Sequence, residues 1–141
     1  MIEGLGIDMV KVSYINRMLK KHGDVFLHNI YAVEEIRLYG EKKRHVDHFL
    51  AGRFAAKEAL LKALGTGMAS GLDFSQIEVC NNAAGKPFVN RTPSIERFLE
   101  PDQRIQISIS HHEKYAIAVI IIERVPLTGC ESRTIRNEVI L

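Results

Sequence analysis

The chain has 141 residues, of which 46% are hydrophobic, and a formal net charge of +2. That length suits one domain around one core, and so small a charge provides no general field for nucleic acid. No apolar run approaches the ~20 residues that a membrane helix needs. The N-terminus, Met-Ile-Glu-Gly, carries no basic and apolar leader pattern. Two cysteines, Cys80 and Cys130, show no metal or disulfide spacing. A cytoplasmic protein with free thiols is therefore expected.

Residues 2–8 read as a short strand with Gly4 and Gly6 inside it and Asp8 at its end. Ser13 is placed to cap a helix running to about Lys21, and Gly23 stops it. Residues 24–39 carry helical spacing in two short pieces, closed by Gly40. The strongest helical pattern spans 46–64, where Leu50, Phe54, Leu60, Leu61 and Leu64 alternate with five alanines; Gly65 ends it, and a glycine-rich loop follows.

The second half changes period. Residues 74–79 read as a strand, 84–87 as a turn, 88–89 as the start of another strand and 93–99 as a short helix. Residues 105–110 alternate with period two. Residues 115–122 form a nearly continuous β-branched run, expected to be buried on both faces. His111-His112-Glu113-Lys114 would connect these two strands as a hairpin. The expected fold class is α+β: helices of the first half packed on a small antiparallel sheet formed mainly by the second half. A domain of residues 1–124 and a C-terminal extension of 125–141 are the expected divisions. The apolar residues of the extension suit packing on a neighbouring subunit and a mobile tail equally.

Several residues bear chemistry. Glu58 lies one helical turn before Lys62, which fits either a solvated i,i+4 ion pair or a carboxylate and an ammonium facing a phosphate site. Asp8 fits either a strand-end cap or a second oxygen ligand, since Mg²⁺ takes few protein carboxylates and fills its shell with water and phosphate oxygens. Neither Gly4-x-Gly6 nor Gly65-x-Gly67 sits between a strand and a helix start, so nucleotide-loop readings are rejected. His45-x-x-His48 has metal spacing but lacks a third ligand. His111 beside Ser110 has no nucleophile-elbow context and reads better as a ligand contact. Lys20-Lys21-His22 and Lys42-Lys43-Arg44-His45 read as solvated basic clusters.

In chain order, Gly4-Leu5-Gly6-Ile7-Asp8, the stretch from Phe49 to Ala59 (FLAGRFAAKEA), Lys62-Ala63-Leu64-Gly65-Thr66-Gly67, Gly85-Lys86-Pro87 and Ser108-Ile109-Ser110-His111 resemble the bacterial holo-acyl-carrier-protein synthases over about residues 1–124. The resemblance implies a 4′-phosphopantetheinyl transferase fold and a homotrimer with active sites at subunit interfaces. It implies transfer of phosphopantetheine from coenzyme A to a serine of apo-acyl carrier protein, a step of fatty acid biosynthesis. By the same resemblance Asp8 and Glu58 hold Mg²⁺, and Glu58 and Lys62 are catalytic. Arg53, Lys62, Gly65, Lys86, Pro87 and His111 fall at coenzyme A positions. The serine proton goes either to Glu58 or to a water held at the metal site. Tyr14, Asn29 and Ala32 depart from the family pattern on the carrier-facing helices, while Lys11, Arg17, Lys20, Lys21 and His22 keep basic character nearby. A carrier-docking surface re-sited on these residues is expected. The rival functions are a non-catalytic binding module and a coenzyme A pyrophosphatase.

Overall fold

The structure, a computed structural model, describes residues 1–67 and 71–126. Strand β1 (Ile2–Lys11) passes directly into α1 (Val12–His22), followed by α2 (Asp24–Ile30), α3 (Val33–Glu41) and α4 (Val46–Leu64). A 3-10 turn (Phe74–Gln76) leads to the hairpin β2 (Val79–Asn81) and β3 (Pro87–Val89), then to α5 (Pro93–Glu96), β4 (Gln103–His112) and β5 (Tyr115–Arg124). The main sheet is antiparallel with order β1-β5-β4, and β2-β3 form a separate pair. The α+β expectation holds.

The glycines of β1 set how closely helix and sheet approach. Gly4, Gly6, Asp8 and Val10 share one face of the strand, because side chains alternate. A methyl group on Gly6 would lie 1.8 Å from the Ala59 carbonyl oxygen of α4, and one on Gly4 would lie 2.3 Å from that of Ala63. At the other end of α4, Gly52 faces Ile109 and His111 of β4. The alanines that make α4 a good helix former are also the residues small enough for this contact: Ala51, Ala55, Ala56 and Ala59 are fully buried. Leu50, Leu60, Ile15, Ile77, Ile95 and Ile120 complete the centre of the core.

One buried ion pair joins the helices to the rest. Lys57 Nζ reaches Glu35 Oε2 at 2.5 Å and also donates to the Ile30 and Phe74 carbonyls, so all three of its protons are used. Glu35 in turn accepts from the backbone N–H groups of Ala32 and Val79. Burial depresses the Lys57 pKa and raises that of Glu35, and each partner opposes the shift of the other. The group therefore pins α2, α3, α4, the 3-10 turn and β2 at one point.

Four expectations need correction. β1 extends to Lys11 and pairs with β5 throughout, so α1 begins at Val12 and Ser13 makes no cap. Val10 and Val12 both enter the core, which favours an uninterrupted passage. Residues 74–79 are not one strand: the Gln76 side chain accepts the Asp73 N–H and closes a 3-10 turn, with pairing starting only at Val79. The β4–β5 connection is two residues long, because His111 and His112 remain in the ladder opposite Ala116 and Tyr115. Finally, β5 is buried on one face only. Ala116, Ala118, Ile120 and Ile122 point into the core, while Ile117 on the other face is 37% exposed. Among the described residues, no helix is long and apolar enough to cross a membrane. The extension beyond residue 126, with Cys130, lies outside the described residues; Cys80 is a free thiol.

Candidate active site

Asp8 follows Gly4 and Gly6 on the inner face of β1, so the helix that those glycines admit lies beside its carboxylate. Ala59 and Ala63 touch the strand; Glu58 and Lys62, each one residue earlier and about 100° around the axis, stand on the flank. Lys62 Nζ bonds to Asp8 Oδ1 and to the Ile7 carbonyl, each at 2.9 Å. The alternative pairing of Lys62 with Glu58 is not adopted: its hydrogen bonds cross to the strand. Glu58 is half-buried. Burial raises its pKa first and the Asp8 charge adds to the rise, while Lys62 opposes both. Lys62 is raised mainly by its bond to Asp8.

Two carboxylates and one ammonium leave one surplus negative charge in the slot. The repulsion between Asp8 and Glu58 is what a small divalent cation relieves. Among the described residues no group of three or more His, Cys, Asp or Glu is placed to hold a metal. The carboxylate pair thus suits a hard ion that draws its remaining ligands from water and substrate phosphates, and poorly suits a zinc-type site.

The other predicted residues converge on a different flank of α4. Arg53 and Glu58 are five residues apart, hence about 140° apart around the helix. Arg53 and His111 line a cleft of about 970 Å³ together with Arg44, His45, His48 and Asn81. Arg53 is only 5% exposed, lies 4.4 Å over the Phe49 ring and donates to Asn81 Oδ1, yet its Nε–H is buried with no acceptor. Its guanidinium brings a permanent positive charge to the cleft wall, which favours an anion there. His111 is held below the usual histidine range by burial, then by His48, Arg53 and His45.

Lys86 sits on the β2–β3 turn, which Asn81 and Asn82 close through bonds to the Gly85 carbonyl and the Lys86 N–H, and Pro87 opens β3 opposite Asn81; neither Lys86 nor Pro87 lines the cleft. Gly65 caps α4 in the left-handed conformation, φ 70°. The Lys20-Lys21-His22 cluster occupies the last turn of α1, as a solvated helix end should. The Lys42–His45 cluster differs, since Lys42, Arg44 and His45 line the cleft. Sequence reasoning missed Asn81 and the cleft roles of His45 and His48. The i,i+3 histidine spacing was visible, but its third member, His111, is distant in the chain. Tyr14 packs edge-on against Phe54, with Arg17 over its outer face at 5.9 Å.

Fold and site together define a small α+β protein that carries a carboxylate pair on one flank of its central helix and an anion-receiving cleft on the other. A profile of the 4′-phosphopantetheinyl transferase superfamily matches residues 4–120. A holo-[acyl-carrier-protein] synthase from Geobacillus sp. is 44% identical over 126 residues, covering 88% of this chain and 98% of the relative. The crystal structure of the Neisseria meningitidis holo-[acyl-carrier-protein] synthase superposes with TM-score 0.81 at 36% identity, covering 88% of this chain and 100% of that one. The Bacillus anthracis synthase, solved in complex with CoA (3′,5′-ADP), gives TM-score 0.73 at 36% identity over 89% of this chain and 99% of that one. This chain belongs to the 4′-phosphopantetheinyl transferase superfamily.

Proposed function

We propose that the protein transfers the 4′-phosphopantetheine group of coenzyme A to a serine of apo-acyl carrier protein, releasing adenosine 3′,5′-bisphosphate. The observation that carries this reading is the Asp8–Lys62 bond beside Glu58, formed where α4 presses on the glycines of β1. Asp8 and Glu58 would hold Mg²⁺, which when bound supplies positive charge against the coenzyme A pyrophosphate. Lys62, half exposed and held by Asp8, is poised to meet a phosphate oxygen as charge develops on the leaving group. The serine proton would go either to Glu58 or to a water held at the metal site. Arg53, His111 and the other cations of the second cleft would receive the nucleotide phosphates, and Gly65, Lys86 and Pro87, which do not line that cleft, would meet other parts of coenzyme A.

The same reading includes an assembly. Leu5, Ile7 and Met9 on the outer face of β1 are 64%, 58% and 58% exposed, and they are continuous with Ile117 of β5. An apolar sheet face of this kind belongs against protein. A homotrimer packed through it would bring the carboxylate flank of one copy toward the basic cleft of another. The carrier, an acidic partner, docks on the basic side of α1 at Arg17, Lys20 and Lys21. The catalytic unit is residues 1–124, working in the cytoplasm in fatty acid biosynthesis.

The deciding experiment incubates the protein with Mg²⁺, coenzyme A and apo-acyl carrier protein and weighs the carrier. A gain of one phosphopantetheine mass is expected. Nucleotide release without carrier would instead identify a pyrophosphatase, and no product at all would identify a binding module.

A further inference from the structure

The basic cleft contains a feature that phosphate recognition alone does not require. His45 and His48 at the start of α4 and His111 at the end of β4 form a row of edge-to-face contacts, with ring centroids 5.9 Å apart for the first pair and 6.0 Å for the second. All three line the cleft beside the unpartnered Arg53 Nε–H. The Glu113 carbonyl lies 2.9 Å from His48 Nε2. A carbonyl only accepts, so Nε2 carries the proton in the neutral ring and Nδ1 is left as an acceptor. Protonation there changes His48 from acceptor to donor and adds a charge.

We infer that His45, His48 and His111 act as one proton-dependent anion-binding unit, so that the cleft holds coenzyme A phosphates more tightly as the pH falls. This rests on the coenzyme A reading above.

The permanent charges facing the row come from every side. Arg53 lies on α4, Lys42 and Arg44 on the α3–α4 connection, Glu41 on α3 and Glu113 on the β4–β5 turn. Asn81 of β2 presents a neutral amide. Asp47, next to His48, accepts a hydrogen bond from Asn16 of α1 at 3.0 Å, and a neutral amide cancels no charge. Three cations against three carboxylates balance with the rings neutral, and three protonated rings would raise the charge to three. Burial first, and the neighbouring His48, Arg53 and His45 after it, disfavour the charged form of His111. A phosphate bound against the rings favours their charged forms. The gain in affinity is therefore complete below the free-state values and is lost as pH rises through the bound-state values.

The test is calorimetric titration of the whole protein with coenzyme A at pH 5.5 to 8.0, in buffers of differing ionisation heat, which yields the protons taken up on binding. The free phosphates of coenzyme A also titrate near pH 6, and the neighbouring charges shift them on binding, so the phosphorus resonance of the bound 3′-phosphate is followed in each variant and its proton change subtracted. Near pH 6.5 the wild type should take up about one proton more per site than the His45→Gln/His48→Gln variant. As a measurement independent of any variant, the imidazole resonances of all three residues should shift to higher pKa when coenzyme A is added. Equal proton uptake in wild type and variant, or unmoved resonances with coenzyme A bound, would overturn the inference while leaving the proposed function intact. Failure of the wild type to bind coenzyme A at any pH would remove the proposed function first and this inference with it.

Discussion

Lys62 bypasses Glu58, its neighbour one turn away, for Asp8, 54 residues distant. Its side chain is 52% exposed, so the bond adds little to stability, and its value lies in placing an ammonium beside two carboxylates. Lys62→Ala should therefore lower kcat by about 10²–10³-fold, the scale of losing one preorganised charge contact, while Tm stays within a degree or two of wild type. Steady-state kinetics and thermal melts on one preparation check both; an unchanged kcat/KM would return Lys62 to a surface ion pair. Asp8→Ala should abolish Mg²⁺-dependent turnover, and wild-type rates would remove the carboxylate pair from the chemistry. The two acids and Lys62 were legible as candidates because their types suit phosphate chemistry. That Lys62 chooses Asp8 was not legible, since helical periodicity places Glu58 within reach and is silent about the strand. Lys57 was similarly hidden. Charged residues are rarely fully buried, and its partner Glu35 is 22 positions away.

Among the elements, α4 was the most legible: its alanine and leucine pattern and the Gly65 stop set both ends where the structure has them. Strand β1 was read too short, because the chain turns from strand to helix without a capping residue and only tertiary pairing with β5 carries the strand to Lys11. The contact between these two elements makes a sharp prediction. In Gly6→Ala the new methyl meets backbone atoms of Ala59 at 1.8 and 2.8 Å, and backbone cannot rotate aside. The helix must lift, at a cost of about 1–3 kcal/mol or more, and Glu58 and Lys62 move from Asp8 with it. Gly40→Ala, where nothing lies within 4 Å, should instead be neutral or stabilising by about 0.5–1 kcal/mol. Parallel melts and transfer assays separate the two; a fully active Gly6→Ala would show that the close approach does not position the site. At the α3–α4 joint, Lys57→Met should cost about 3–5 kcal/mol by stranding Glu35, and adding Glu35→Gln should recover part of it. Urea unfolding at one protein concentration measures both; additive losses would mean that the pair is not coupled.

At the scale of the whole molecule, the β-branched run of β5 is the informative element. Read alone, it belongs to a strand covered on both faces, yet the single chain covers only one, and the uncovered face continues onto Leu5, Ile7 and Met9. In the proposed trimer that face is covered, and the periodicity of the run would then reflect burial in the assembly and not in the subunit. The same geometry places Asp8 and Glu58 on one flank of α4 and Arg53 and His111 on another, about 140° around the helix. If each site is shared, Asp8→Ala and Arg53→Ala subunits should complement. Both homomers would be inactive, but after co-refolding an intact Asp8 from one subunit meets an intact Arg53 from the other. Random mixing in equal amounts makes about one interface in four complete in a closed ring, so about a quarter of wild-type turnover should return. Ile7→Glu, which charges the apolar face, should reduce the mass to that of a monomer and abolish transfer. Absence of rescue in co-refolded mixtures whose mass confirms assembly would place both flanks of α4 in the service of a single chain.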